Sequence, residues 1–368
     1  MIVQDIQKIF EEWAPKEIAW EKDNIGLQVG AYDKQVQKIL IALDPSEDVI
    51  DEAITKNTDL IITHHPLIFE PLKSITTDDK NNRLVYKLVQ SGISLFSAHT
   101  NLDFTANGVS FALAKKLDLQ NINPLKKSSS HLRKITVFVP SEYVEKVTEA
   151  MALMGAGIIG NYEYCSFRTS GVGTFKGGKD SKPFIGLPGE TEKVEEVRLE
   201  MIVPFWKVAD VVSSIRTAHP YEEPSFDIYP LQNESSNFGA GAIGEFAEAL
   251  SVKKFLQHIK DILDIKFLKF TQSNQDKIKT VAVCGGSGSN LLSFAISSKV
   301  DAFVTGDVGY HTFQQAEGKI LLVDAGHYET ELPIVESIST YLQNKFAALK
   351  ENIQVKTTTE FKKHIQYI

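Results

Sequence analysis

Of the nine histidines in the chain, five stand in or near segments that follow apolar runs: His64, His65, His99, His311 and His327. Imidazole exchanges protons near neutral pH and is the commonest side-chain metal ligand. The adjacent pair lies in Ile61-Ile62-Thr63-His64-His65-Pro66. Neighbouring side chains on a regular strand point to opposite faces. Both rings therefore converge only if the strand breaks there, or each serves a different ion. Pro66 supplies a break and holds His65 extended. Taken alone, the pair is equally a polar strand end with two solvated rings.

A second pattern couples imidazole to carboxylate. Ser97-Ala98-His99-Thr100-Asn101-Leu102-Asp103 has a counterpart in Asp324-Ala325-Gly326-His327-Tyr328-Glu329-Thr330-Glu331. Pro333 suits the first turn of a helix, which leaves His327 in a loop and Glu331 near the helix start. An acidic residue there is also ordinary helix electrostatics. The set His64, His65, Asp103, His327 and Glu331 exceeds the three protein ligands usual at one catalytic zinc. With a bridging carboxylate, five residues can hold two divalent ions roughly 3.5–4 Å apart. Nitrogen and oxygen donors without thiolate favour zinc moderately and admit manganese, iron or cobalt.

These residues need elements to carry them. Ile6, Ile9, Phe10 and Trp13 recur at helical spacing until Pro15. Apolar runs at Ile39–Leu43 and Leu60–Thr63, with a helix-like Val49–Ile54 between them, predict parallel strands with helical crossovers. Open α/β sheets bind ligands at the carboxyl ends of their strands, where the histidines fall. A shift of 242 positions lays residues 38–65 on 280–307, matching Asp59 to Asp301 and Thr63 to Thr305. A shift of 228 lays His99 and Asp103 on His327 and Glu331. Two duplicated lobes are expected.

Between them the pattern changes. Lys134–Pro140 alternates like a strand and Val144–Met154 is helix-like. A hairpin is expected from Tyr162–Ser166 and Gly171–Phe175, then a strand at Glu196–Val203, a helix at Trp206–Ile215 and a strand at Asp227–Tyr229. This β-α-β-β-α-β order is that of a ferredoxin-like α+β domain. The expected fold class is α/β, a two-lobed duplicated core (1–125 and 233–368) interrupted by such an insert (126–232).

The 368 residues carry 43% hydrophobic and 23% charged side chains, ordinary globular usage. A net charge of −8 argues against a generic nucleic-acid or anionic-membrane binder. Cys165 and Cys284 cannot build a disulfide framework and are expected to be buried and inert. The start of the chain enters an amphipathic pattern with no basic or long apolar region, predicting no signal peptide and a cytoplasmic protein.

Further motifs add to the set. Asp23-Asn24-Ile25-Gly26-Leu27-Gln28-Val29-Gly30, Val283-Cys284-Gly285-Gly286-Ser287-Gly288 and Thr305-Gly306-Asp307-Val308 accompany the histidine segments above. Together they resemble the GTP cyclohydrolase I type 2 family, also called the Nif-three-like dinuclear-metal proteins. The resemblance runs in order through both lobes, and the insert resembles the PII/CutA-type domain of longer bacterial members. It implies two metal ions held by His64, His65, Asp103, His327 and Glu331, a toroidal homohexamer, and a small-molecule, nucleotide substrate. The implied reaction is opening of the GTP ring at C8 with release of formate, using metal-activated water. The competing reading is a metal-stabilised hexameric regulatory or scaffold protein that binds partners or effectors through the insert.

His99 is the candidate general acid/base, because it precedes a ligand by four residues yet is not needed for the metal count. Orienting Asp103 is its competing role. His311 and Asp307 are weaker candidates, and Glu329 is expected to face solvent. Gly285–Ser289 is either an anion cradle or a plain tight turn. Asn24–Gln28 is expected to form a wall of the site, and His219-Pro220-Tyr221-Glu222-Glu223-Pro224 a rigid turn.

Overall fold

Ile39, Leu40, Ile41 and Ala42 are all buried, and they divide alternately between two hydrophobic clusters, one on each face of a sheet. A strand apolar on both sides must be covered on both sides, which is the situation of a parallel strand flanked by helices. The computed structural model describes residues 1–129, 131–272 and 275–365. Its strands in the first half are β1 (Gly26–Val29), β2 (Lys38–Ala42), β3 (Leu60–Thr63), β4 (Ser94–Ser97), β5 (Gln120–Lys127), β6 (Leu132–Pro140) and β7 (Ser166–Lys176). Then follow β8 (Thr191–Pro204), β9 (Phe226–Pro230), β10 (Gly239–Ser251), β11 (Lys269–Phe270), β12 (Lys277–Ser287), β13 (Ala302–Gly306), β14 (Leu321–Asp324) and β15 (Gln354–Thr357).

The chain divides into two compact units, Met1–Lys127 with Ser236–Ile368, and Ser128–Ser235. The first is built on two sheets, ordered β1-β4-β3-β2-β15 and β11-β14-β13-β12-β10-β5. Each has a parallel centre, β2-β3-β4 in one and β12-β13-β14 in the other. The helices Val3–Trp13 and Pro333–Leu349 cover one face of the first sheet, Glu47–Thr55 and Lys80–Ser91 the other. Full burial of each Ile or Leu contributes about 1.5–3 kcal/mol, so these double-faced strands anchor the unit.

The internal repeat has a structural counterpart. Asp59 Oδ2 accepts the backbone N–H groups of Gln37 and Lys38, and Asp301 Oδ2 accepts those of Lys279 and Thr280. The same carboxylate therefore closes the same strand start in both halves. Two strands cross this symmetry: β5 joins the second sheet beside β10, and β15 pairs parallel to β2 in the first. Among the described residues, no helix is long and apolar enough to cross a membrane.

The unit Ser128–Ser235 runs β6, a helix (Val144–Leu153), β7, β8, a helix (Val208–Ala218) and β9, with antiparallel sheet order β7-β8-β6-β9. One detail differs from expectation. Ser166–Lys176 is a single strand paired along its length with β8, not two arms of a hairpin. The break expected between residues 166 and 171 is absent because the ladder carries the chain straight through Gly171 and Gly173.

Candidate metal centre

β3 ends at Thr63, so His64 and His65 lie just beyond regular strand geometry. Thr63 Oγ1 donates to the His65 carbonyl at 2.7 Å, and the His65 N–H donates to the Leu43 carbonyl at 3.0 Å. This turn places both rings in one place, with centroids 5.0 Å apart. Asp103 closes the short helix Thr100–Asp103 after β4, and His327 and Glu331 bound the helix His327–Glu331 after β14. Carboxyl ends of strands from both sheets thus supply the centre, as strand ends do in open α/β folds.

Four imidazoles are held in the same way. Nδ1 of His64 donates to the Ala98 carbonyl at 2.9 Å, that of His65 to Asp44 at 2.7 Å, that of His99 to Asp23 at 2.9 Å and that of His327 to Asp307 at 2.7 Å. Carbonyls and carboxylates only accept, so each Nδ1 carries its proton and each Nε2 is left as a potential donor to a cation.

Those Nε2 atoms converge on two carboxylates. His65 and His327 reach Glu331 Oε2 at 2.9 and 3.1 Å. His64 lies 3.8 Å from Glu331 Oε1 and 3.7 Å from Asp103 Oδ1. Despite this proximity, His64 Nε2 and Glu331 Oε2 are buried without a hydrogen-bond partner. Leaving such atoms unsatisfied costs about 1–3 kcal/mol each. Close approach without hydrogen-bond geometry is what side chains show when their lone pairs face a common point. Two groups, His65 with His327 and Glu331, and His64 with His65 and His99, bring their ligand atoms within 4.8 Å of one another and can hold a metal ion.

Charge within the cluster is strongly coupled. Burial opposes ionisation of Glu331, yet the close imidazoles of His327, His64 and His65 hold its carboxyl well below the ordinary range. Burial would lower His65, but Asp44 and Glu331 raise it to about 10; Glu331 chiefly raises His327 to about 9. Desolvation raises Asp103. Asp23 is held near about 2 against burial, by hydrogen bonds from His99 and Thr100.

All five expected ligand residues and His99 therefore meet in one place. His99 makes no side-chain hydrogen bond to Asp103; its Nδ1 bonds Asp23 instead. Asp307 orients His327, while His311 is exposed on the helix Tyr310–Ala316, outside the cluster. Glu329 does not face solvent: it is buried, because its short helix is wedged between core elements with Glu329, Thr330 and Glu331 all turned inward. Cys165 and Cys284 are only partly buried, and desolvation pushes the Cys284 thiol up to about 12. The glycine-rich segment has three of its N–H groups already engaged within the fold. The N–H groups of Gly285, Gly286 and Gly288 donate to Ser110, Thr330 and Thr305 hydroxyls. Two orienting carboxylates, Asp44 and Asp23, escaped the reading of the sequence. Their one signal is position, since Asp44 closes an apolar run and Asp23 opens the Asn24–Gly30 motif.

A cleft of about 160 Å³ reaches His99, Asp103, His327 and Glu331, walled by Trp20 and Cys284 among others. At about 30 Å³ per water it holds a few waters or one small reacting group.

Two parallel-centred sheets whose strand ends bring histidines and carboxylates together define an α/β protein with a candidate metal-binding centre. The sequence profile of Duf34/NIF3 (NGG1p interacting factor 3) matches residues 1–363, and the chain belongs to this family. A Halalkalibacterium halodurans protein named GTP cyclohydrolase 1 type 2 homolog is 41% identical over 327 residues, 88% of each chain. A Bacillus subtilis protein of the same name is 40% identical over 331 residues, 89% of each. The crystal structure of a Bacillus cereus protein related to NIF3 superposes with a TM-score of 0.88 at 38% identity, covering 100% of this chain and 99% of that one.

Proposed function

We propose that this protein is a metal-dependent hydrolase of the GTP cyclohydrolase kind, with His64, His65, Asp103, His327 and Glu331 holding two divalent cations, zinc favoured. The observation that carries the reading is Glu331, whose two oxygens face different partners: Oε1 towards His64, Oε2 towards His65 and His327. That is how a carboxylate shared by two ions is disposed. When bound there, such a pair of ions would supply an acidified water near neutral pH and would polarise the bond under attack.

The chain's own groups do the rest. Asp44, Asp307 and the Ala98 carbonyl fix the ring orientations, so the donors need no reorganisation when an ion enters. His99, oriented through Nδ1 by Asp23, offers Nε2 to accept and return a proton. Trp20, 61% exposed, gives the cleft a flat face on which a purine can stack. The expected substrate is a nucleotide, GTP first, with formate as product. The working form is proposed to be a ring of six copies in the cytoplasm.

The test uses protein purified without chelators. Metal per chain is counted, GTP is supplied, and formate is followed, with native mass giving the assembly. His64→Ala should lose both metal and turnover. A wide nucleotide screen without metal-dependent turnover overturns the enzyme reading.

A further inference from the structure

The unit Ser128–Ser235 holds a cavity of about 790 Å³, within the 300–1,000 Å³ usual for small-molecule sites. Strands β7 and β8 and the loop after the helix Val208–Ala218 line it, the loop being the His219–Pro224 motif. One wall is aromatic: Phe138, Phe175, Phe184 and Tyr221. The Tyr221 ring centroid lies 5.8 Å from that of Phe175 and 6.3 Å from that of Phe184.

Glu196 also lines this cavity, and it is only 9% exposed. No cation stands within ion-pair distance of it among the described residues. Arg198, two positions along β8, pairs with Glu200 at 2.7 Å. His219 is neutral there: its Nε2 donates to the Phe138 carbonyl at 2.9 Å, while its Nδ1 accepts the Tyr221 N–H at 3.1 Å. The Tyr221 hydroxyl is buried beside Glu196, burial and that carboxylate together pushing its pKa up, and it has no other partner. Gly173 leaves the carboxylate its room, since a Cβ there would collide with Glu196 Oε2. Asp180, Glu222 and Glu223 add negative charge at exposed positions of the lining, and Lys176 and Arg198, the latter engaged by Glu200, add positive charge. A carboxylate enclosed in this way, with no cation beside it, suits a positively charged guest.

We propose that this cavity binds a small organic cation, an ammonium or amidinium carried on a flat apolar body. The charged head sits on Glu196 and the Tyr221 oxygen, and the body lies against the aromatic wall. Aromatic faces attract cations as well as apolar surface. Carboxylates outnumber cations in the lining four to two, and Glu196 is the enclosed one among them, with a phenol but no cation beside it. The site lies in a different unit from the candidate metal centre and does not depend on the hydrolase reading.

Calorimetric titration of the intact protein with benzamidine, benzamide and benzoate tests this, since the three share a ring and differ in charge. Benzamidine should bind at one site per chain, at least about tenfold more tightly than benzamide, and benzoate should not bind. Glu196→Gln should bring benzamidine down to the benzamide level. Gln keeps the shape and an acceptor for Tyr221 while removing a buried charge that no cation balances, so the melting temperature should hold or rise, separating lost binding from lost folding. Phe184→Ala should weaken benzamidine and benzamide together. Absence of benzamidine binding, equal affinity for the three probes, or undiminished binding by Glu196→Gln each overturns the proposal.

Discussion

Glu331 Oε1 occupies the space where residue 286 would carry a Cβ, and residue 286 is glycine. Gly286 also has φ +62°, a conformation that costs other residues roughly 1–2 kcal/mol. Bare backbone at the end of β12 thus lets the Glu331 carboxylate lie among the imidazoles. Gly286→Ala should displace that carboxylate and weaken metal binding by roughly 10–100-fold. Metal retained after dialysis, read by mass spectrometry beside an unchanged far-UV spectrum, checks it. Full retention would remove Glu331 from the ligand set.

Asp44 and Asp307 would act on a bound metal ion through the rings they hold. Asn in place of either keeps the shape but removes the charge-assisted hydrogen bond to Nδ1. Asp44→Asn should cost the larger share of the roughly 10–100-fold typical of such partners. Its pair with His65 is 28% and 22% exposed, whereas Asp307 and His327 are 49% and 34% exposed and better screened. Competition with a chromogenic zinc chelator measures both. Equal affinities for wild type and Asp44→Asn would contradict an orienting role.

The ligand-type residues were legible because their signal is local: a His-His pair ending an apolar run, and a His-x-x-x-acid segment occurring twice. The α/β class was legible for the same reason, through short runs buried on both faces. Asp44 and Asp23 were not legible in their roles, since their partners stand 21 and 76 positions away and no periodicity links them. Nor was the last strand. β15 is four residues long, and the adjoining Thr358 is fixed by a buried hydrogen bond to Glu52, 306 positions earlier. Glu329 misled because an acid in a short helix ordinarily faces water, and only packing turned it inward. At Gly286 the sequence points to backbone donors, whereas its use is the absence of a side chain.

Metal-free protein should lose stability as pH rises from about 6.5 towards 10. His65 and His327 have folded values of about 10 and about 9, above their ordinary 6.5. A raised value contributes stability that is complete below the unfolded pKa and is lost as pH climbs through the folded one. A bound cation needs neutral rings, so metal-loaded protein should show the opposite trend, gaining affinity over the same range. Melting curves with and without chelator, compared with His327→Gln, separate these groups from lysines and tyrosines. A chelated protein with a flat profile up to pH 10 would refute the protonated cluster.

His99 and Asp23 should separate chemistry from metal binding. Asp23→Asn removes the carboxylate that fixes the His99 ring while leaving the five ligand residues untouched. Metal content should stay within about twofold, and turnover on any substrate found should fall by roughly 10²–10⁴, the share of a general acid/base. The pH–rate profile should lose one limb. Metal loss in step with activity would instead make His99 a ligand, a role its position in the three-histidine group also allows.

Excision of residues 128–235 should leave the metal centre intact. Lys127 and Gly239 are register partners on β5 and β10, and Ser235 N–H donates to the Ser128 carbonyl at 2.8 Å. The chain thus leaves and re-enters the first unit side by side, and a short hairpin turn can replace the whole intervening segment. No ligand residue or orienting carboxylate lies in the excised stretch, and its hydrophobic cluster is drawn entirely from its own residues. The shortened protein should bind metal with unchanged stoichiometry and lose benzamidine binding completely. If it folds, by far-UV spectrum and cooperative melting, but binds no metal, then the centre draws on the excised unit and the five-residue account is incomplete.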